Sequence, residues 1–178
     1  MNPYSIEQIY SDLQSKFSDM IGEIRIEPPT TGTPFIIVNR EWIRDVCLYL
    51  RDDEKYKMNT CNLLSCVDFR KMKSQEYNNQ LGVVYHLSSL QETKNGWETI
   101  HKCALRVYIP IDDPKIASVS RIWRSTDWHE REGYDMYGII FEEHPDLRRI
   151  LLPDDWVGFP LRKDYETPEY YNGMKIPY

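Results

Sequence analysis

The chain has 178 residues, and its 28 Asp and Glu against 22 Lys and Arg give a net charge of −6. A hydrophobic fraction of 41% and a charged fraction of 28% fit one folded domain with its own core and exclude a disordered chain. Bulk acidity excludes a general nucleic-acid binder, which needs a basic footprint.

In chain order, the first predicted element is a helix. Ile6, Ile9, Leu13, Phe17, Met20 and Ile21 recur at helical spacing. Ser5 and Gln8 stand at capping-box spacing, Tyr4 and Ile9 can form a hydrophobic staple, and Gly22 sits where a helix would end. Residues 23–27 alternate charged and apolar side chains, as a half-buried strand does. Residues 28–34 read as a turn and 35–38 as a second, short strand. Asn39 is then placed to cap a helix running to Arg51, with Trp42, Ile43, Val46, Cys47 and Leu50 on its apolar face. Three longer strands are expected over 62–70, 80–90 and 98–109. Leu81, Val83, Tyr85 and Leu87 share one face of the second, and Cys103, Leu105, Val107 and Ile109 one face of the third. Asn78-Asn79 and Lys94-Asn95-Gly96 supply the turns between them. The expected fold class is α+β, with N-terminal helices packed on a largely antiparallel sheet.

Beyond Pro114 the pattern changes. A short helix is expected over 118–123 and another over 127–137, with Asp127 and Glu130 at capping-box spacing and Gly138 at its end. The α+β domain is expected to occupy 1–152, and 153–178 to form an extended C-terminal docking tail. That tail holds four prolines, which exclude a continuous helix. It also holds Trp156, Phe159, Tyr165, Tyr170, Tyr171 and Tyr178, and flexible linkers have few aromatics. Such a segment is expected to lie on a surface, its own domain's or a partner's. The net charge is concentrated nearby: 127–155 contains nine acids and three bases, while the other residues balance at 19 of each sign. That block is either a solvated acidic face or a charge-selective docking surface.

Common chemistries find little support. The longest stretch without Asp, Glu, Lys or Arg, 77–91, is interrupted by Asn, Gln, His and Ser, so no membrane span is expected, and the N-terminus lacks the apolar run of an export signal. The four cysteines, Cys47, Cys61, Cys66 and Cys103, do not form a disulfide framework and fit a reducing cytosolic setting. Cys61 and Cys66 have C-x4-C spacing, but an odd offset on one strand is expected to point them to opposite faces. No two of His86, His101, His129 and His144 stand at metal-ligand spacing. Glycine-rich nucleotide loops and the G-x-S-x-G elbow are missing as well. On the predicted third helix, Glu132 and Asp135 share a face with Trp128, and Arg131 can reach Asp135 at i, i+4. Carboxylates beside aromatics can do acid/base work or pair structurally with Arg148 and Arg149, and a structural or interface use is the preferred reading.

Two motifs carry a family resemblance. Residues 130–151 read EREGYDMYGIIFEEHPDLRRIL, and 155–165 read DWVGFPLRKDY. Together they resemble the thirty-kilodalton subunit of respiratory complex I, which in bacteria is the C-type subunit of the proton-translocating NADH:quinone oxidoreductase. The pattern is similar to the J-type subunit of the cyanobacterial and chloroplast relative. The resemblance implies a non-catalytic scaffold and assembly subunit of the peripheral arm, docked beside the forty-nine-kilodalton-type subunit and near the quinone module. It implies no cofactor and no catalytic or metal-binding residue in this chain, with FMN and iron–sulfur clusters held by partner subunits. Its place would be peripheral, on the cytoplasmic face of the inner (or thylakoid) membrane, touching the membrane only through the complex. The signature is carried over as structural. Glu130, Arg131, Glu132 and Asp135 would form a charge network with Arg148 and Arg149, and Arg162, Lys163 and Asp164 would anchor the tail. Trp128, Tyr137, Gly138, His144, Pro145, Trp156, Pro160 and Tyr165 complete the signature positions. Two alternatives remain open at this point. One is a scaffold role in a membrane-bound, energy-converting hydrogenase. The other is an independent enzyme using Glu130 and Glu132 with His129 or His144 as acid/base groups.

Overall fold

The computed structural model describes residues 3–18, 21–26, 34–70 and 79–176. Its centre is a five-stranded sheet of β1 (Ile21–Ile26), β2 (Pro34–Val38), β3 (Thr60–Asp68), β4 (Gln80–Thr93) and β5 (Gly96–Pro110). The spatial order is β1-β2-β5-β4-β3. All neighbours are antiparallel except β2 and β5, which run parallel. Helices α1 (Ile6–Phe17) and α2 (Ile43–Asp52) supply apolar residues to the core, and α3 (Thr126–Tyr137) lies against β3. Two short pairs complete the fold: parallel β6 (Lys115–Ala117) with β7 (Ile140–Glu142), and antiparallel β8 (Tyr170–Tyr171) with β9 (Met174–Lys175). The class is the α+β one expected, with a largely antiparallel sheet.

The core follows from strand alternation. Leu81, Val83, Tyr85 and Leu87 of β4 stand directly opposite Ile109, Val107, Leu105 and Cys103 of β5. All eight are buried, together with Ile36 of β2, Ile9 and Leu13 of α1, and Ile43, Val46, Cys47 and Leu50 of α2. Each fully buried aliphatic side chain contributes roughly 1.5–3 kcal/mol. A one-residue slip of β4 against β5 would turn one strand's apolar row to the other face, so this pairing is tightly specified.

Several local expectations are corrected. The Ser5–Gln8 capping box forms, but α1 ends at Phe17 on Ser18, whose φ is 48°, and Gly22 belongs to β1. Asn39 makes no side-chain cap; a 3-10 turn over Arg40–Trp42 comes first and α2 starts at Ile43. The helix expected over 118–123 is replaced by turns, because the backbone there is held out to receive the buried carboxylate of Glu130. The α3 helix begins at Thr126 without a side-chain cap, since Ser125 Oγ donates to the Cys61 carbonyl instead. Cys61 and Cys66 do not point to opposite faces. A bulge between Cys61 and Leu63 adds one residue, so Cys61 faces Leu87 and Cys66 faces Val83, and both thiols join the core side. Among the described residues no group of three or more His, Cys, Asp or Glu is arranged to hold a metal ion. The predicted turn over 28–34 and residue 78 fall almost wholly outside the described residues, as does the chain end at 177–178.

The contact between α3 and β3 depends on Gly133. A Cβ there would lie 2.6 Å from Cys66 Sγ and 3.0 Å from a Phe141 ring carbon. Helix propensity alone favours alanine by about 1 kcal/mol. Overpacking costs about 1–3 kcal/mol. Gly133→Ala should therefore lose up to about 2 kcal/mol in urea denaturation, instead of gaining the roughly 1 kcal/mol that helix propensity alone would give. A variant more stable than the parent by about 1 kcal/mol, the whole propensity gain, would show that α3 is not seated on β3 at this point.

Candidate docking surface

The α3 helix is fixed on both flanks by a buried carboxylate. On one flank is Glu130, with no exposed surface. Ser118 Oγ donates to its Oε2 at 2.5 Å, and the Val119 N–H donates to its Oε1 at 2.7 Å. These bonds tie α3 to the segment just after β6. His144 packs on the same carboxylate, with Nε2 3.9 Å from Oε2 and fully buried. Its Nδ1 accepts from the Asp146 N–H, which leaves the hydrogen on Nε2, 3.3 Å from the Asp127 carbonyl. Arg44 of α2 reaches the carbonyls of Ser118 and Glu142 and pairs with Glu143 at 2.9 Å. Burial is the largest influence on Glu130 and pushes its carboxyl up to about 7, against the opposing bonds from Ser118 and Val119.

On the other flank is Asp135, also with no exposed surface. Its Oδ2 accepts three successive backbone N–H groups, from Ile150, Leu151 and Leu152, at 2.9, 2.7 and 3.0 Å. Its Oδ1 accepts from Arg149 Nη1 at 2.8 Å. Arg149 continues outward, donating from Nη2 to the carbonyls of Trp156 and Gly158. Burial alone would raise this carboxyl, but the N–H groups and the guanidinium outweigh it and hold Asp135 below the usual carboxylate range.

The tail residues 153–176 fold back on the same domain. Leu161 donates its N–H to the Met136 carbonyl, and Arg162 Nε donates to the Tyr137 carbonyl at 2.5 Å, satisfying the end of α3. Gly138 closes that end at φ 69°, and the Phe159 ring lies where any Cβ would stand. A second anchor is Asp68, almost fully buried at the end of β3. It accepts the Lys163 N–H at 2.8 Å and pairs with Arg70, which also pairs with Asp164. Lys163 Nζ donates to the Arg70 carbonyl. Trp156 Nε1 donates to the Tyr165 hydroxyl at 3.0 Å, and its ring packs on Tyr171.

The signature residues thus divide. Glu130, Asp135, Arg149 and His144 are brought together around α3, and Arg162, Lys163 and Asp164 sit at the tail anchors. Arg131 pairs with Asp127 at 2.7 Å rather than with Asp135, and lies over the Trp128 ring. Arg148 stays exposed and pairs with Asp146, outside the network it was expected to join. Glu132 and Trp128 are exposed while Asp135 is buried, so these three do not share a face. Pro145 is exposed and Pro160 half-buried. Sequence reasoning missed Ser118, Arg44, Asp68 and Arg70. The Asp68–Arg70 pair, closing an apolar strand, was the one available signal.

A family model described as "Respiratory-chain NADH dehydrogenase, 30 Kd subunit" matches residues 36–171. The chain belongs to this family. The C-type subunit of NADH-quinone oxidoreductase from Chloroherpeton thalassium is 41% identical over 178 residues, covering 99% of this chain and 68% of its own length. Its namesake from Chlorobium phaeobacteroides is 38% identical over 169 residues, covering 95% of this chain and 93% of its own. A solved trypsin-resistant fragment of Nqo5 superposes with a TM-score of 0.61 at 27% identity, over 80% of this chain and 98% of the fragment. A chain of the archaeal membrane-bound sulfane sulfur reductase shares the fold, with a TM-score of 0.59 at 19% identity over 90% of this chain and 85% of its own. Both sequence motifs, 130–151 and 155–165, fall within the span that the family model matches.

Two substitutions separate the roles of the buried carboxylates. Asn at 135 must turn its amide hydrogens toward either the three N–H donors or Arg149, so Asp135→Asn should lose about 3–5 kcal/mol, read from chemical denaturation. A loss under about 1 kcal/mol would contradict that bonding. The folded Glu130 carboxyl titrates near 7 and the unfolded one near 4.5. The folded state therefore keeps a proton that the unfolded state has released, and stability falls as pH rises between those values. Glu130→Gln can keep both hydrogen bonds, with Ser118 turning its hydrogen to Ser120. The variant should flatten that slope and gain, relative to the parent, roughly 3 kcal/mol at most between pH 5 and pH 8. An unchanged slope would place the responsible proton elsewhere.

Proposed function

We propose that this chain is a non-catalytic scaffold subunit in the peripheral arm of a proton-translocating NADH (or ferredoxin):quinone oxidoreductase, docked beside the forty-nine-kilodalton-type subunit. Electrons would pass through FMN and iron–sulfur clusters of partner subunits to quinone, and this chain would hold those subunits in place. The observation that carries the reading is how the signature region divides its residues. Its buried polar groups, Glu130, Asp135 and Arg149, are engaged within the chain, Glu130 with Ser118 and the Val119 N–H and the other two largely with backbone. Its outer surface shows large apolar side chains on that pinned backbone: Trp128, Leu151 and Val157 are 63%, 60% and 83% exposed. Large apolar side chains exposed on a backbone held in this way are what a protein interface uses. An acid/base enzyme is less well supported, because Glu130 is sealed under His144 and the 118–120 segment while Glu132 points to solvent.

Membrane attachment in this reading runs through the partners. Among the described residues no helix is long and apolar enough to cross a membrane. Proline-fixed backbone in the tail lowers the ordering cost when a partner docks on it.

An affinity-tagged chain recovered from native membranes should bring the forty-nine-kilodalton-type subunit with it. Leu151→Asp combined with Val157→Asp should reduce that recovery at least tenfold and leave the melting temperature of the isolated chain unchanged, since both side chains are exposed. Full recovery of the partner with the double variant would remove these residues from the interface. Absence of the forty-nine-kilodalton-type subunit from the parent sample would overturn the reading itself.

A further inference from the structure

We infer that the outer edge of β3 receives an extended segment of a neighbouring subunit as an added strand, in the groove between β3 and α3. The inference rests on the docking role proposed for this chain and names a place and a mode for it. β3 is the last strand of the sheet. Among the described residues its backbone bonds to no other backbone but that of β4, and side chains take two of its carbonyls, Ser125 that of Cys61 and the Cys61 thiol that of Leu63. Edge strands are usually guarded by charge or proline against unwanted pairing. The opposite edge, β1, carries Glu23 and Arg25. β3 reads TCNLLSCVD and has neither charge nor proline before its final residue. The bulge disturbs only its beginning, so 63–67 remain a regular, unguarded template.

The groove beside this edge is shaped for a peptide rather than a small molecule. Its floor is the run 63–66, its wall is His129, Glu132 and Tyr137 of α3, and Leu161 of the tail closes it. The volume is about 150 Å³. Small-molecule sites usually need about 300–1,000 Å³, so this space suits one or two side chains of a strand whose backbone pairs with β3.

The lining selects the occupant. Leu63 and Leu161 are 44% and 49% exposed and ask for an apolar residue. Glu132 is exposed, with no hydrogen bond or ion pair among the described residues, and asks for Lys or Arg. His129 adds a buried Nδ1 without a hydrogen-bond partner. The strand added to β3 therefore presents an apolar side chain to the groove and a basic one to Glu132. A second copy pairing β3 to β3 supplies no cation, because β3 contains none. A different subunit is the occupant that fits.

Hydrogen exchange resolved by residue tests this, comparing the full chain alone with the same chain inside the purified complex. Amides within 63–67 should exchange at least tenfold more slowly in the complex. Glu132→Lys should return them to the rate of the free chain, and Glu132→Asp should not. If the chain co-purifies stoichiometrically and 63–67 exchange as in the free chain, edge addition is wrong while the docking role stands. If the chain fails to co-purify, both are wrong. Concentration-dependent protection of 63–67 in the chain alone, with dimers in sedimentation, identifies a second copy and overturns the choice of partner. Protection unchanged by Glu132→Lys overturns the charge requirement.

Discussion

Residues 149–165 have almost no regular secondary structure, yet they hold a defined course because of the Asp135 carboxylate. Its two oxygens gather three consecutive backbone N–H groups and the Arg149 guanidinium. Arg149 then reaches the carbonyls of Trp156 and Gly158. Removing the Asp135 carboxylate would leave three backbone N–H groups without that acceptor and Arg149 without its counter-charge. The cost of burying the charge is offset by the number of donors around it. The Arg162 and Asp68 anchors further along act on a backbone that Asp135 has already turned.

Five residues away, Glu130 shows the same chemistry with the opposite balance. One hydroxyl and one N–H do not outweigh burial, and its carboxyl rises to about 7. Three N–H groups and a guanidinium do outweigh it at Asp135, which stays ionised well below neutrality. Deeper burial with fewer donors lets Glu130 take up a proton near neutrality, and shallower burial with more donors lets Asp135 keep its charge. The pair locks α3 to the β6 side and to the tail side at once, and the helix becomes the hub of the C-terminal half.

Alternation and spacing made the sheet legible. The apolar rows of β4 and β5 showed which residues face each other, and Ser5 with Gln8 showed where α1 begins. The rest was hidden for specific reasons. The β3 bulge adds one residue without a glycine or proline to mark it. Arg131 had acids at both i−4 and i+4, and only the fold shows that Asp135 is taken by Arg149. Arg148 and Arg149 are neighbours in sequence, and the course of the backbone decides which one turns inward. The helix expected over 118–123 lost to a demand from Glu130, a competitor no local window contains. The bond from Lys163 to Asp68 joins residues 95 apart, and no periodicity reports such a pair.

The core-facing thiols have a consequence for reactivity. All four cysteines are free, and burial drives Cys61 and Cys103 up to about 12 and raises Cys47 and Cys66 as well. Only the thiolate attacks electrophiles, and at neutral pH a thiol of that kind is ionised in about one molecule in 100,000. The buried thiols of Cys47, Cys61 and Cys103 are thus slow to react with alkylating agents in the folded chain. Their labelling must wait for the sheet and helices to part. The rate of thiol labelling then becomes a clock for that opening, and the sulfur atoms record how often this domain opens while the machine around it turns over.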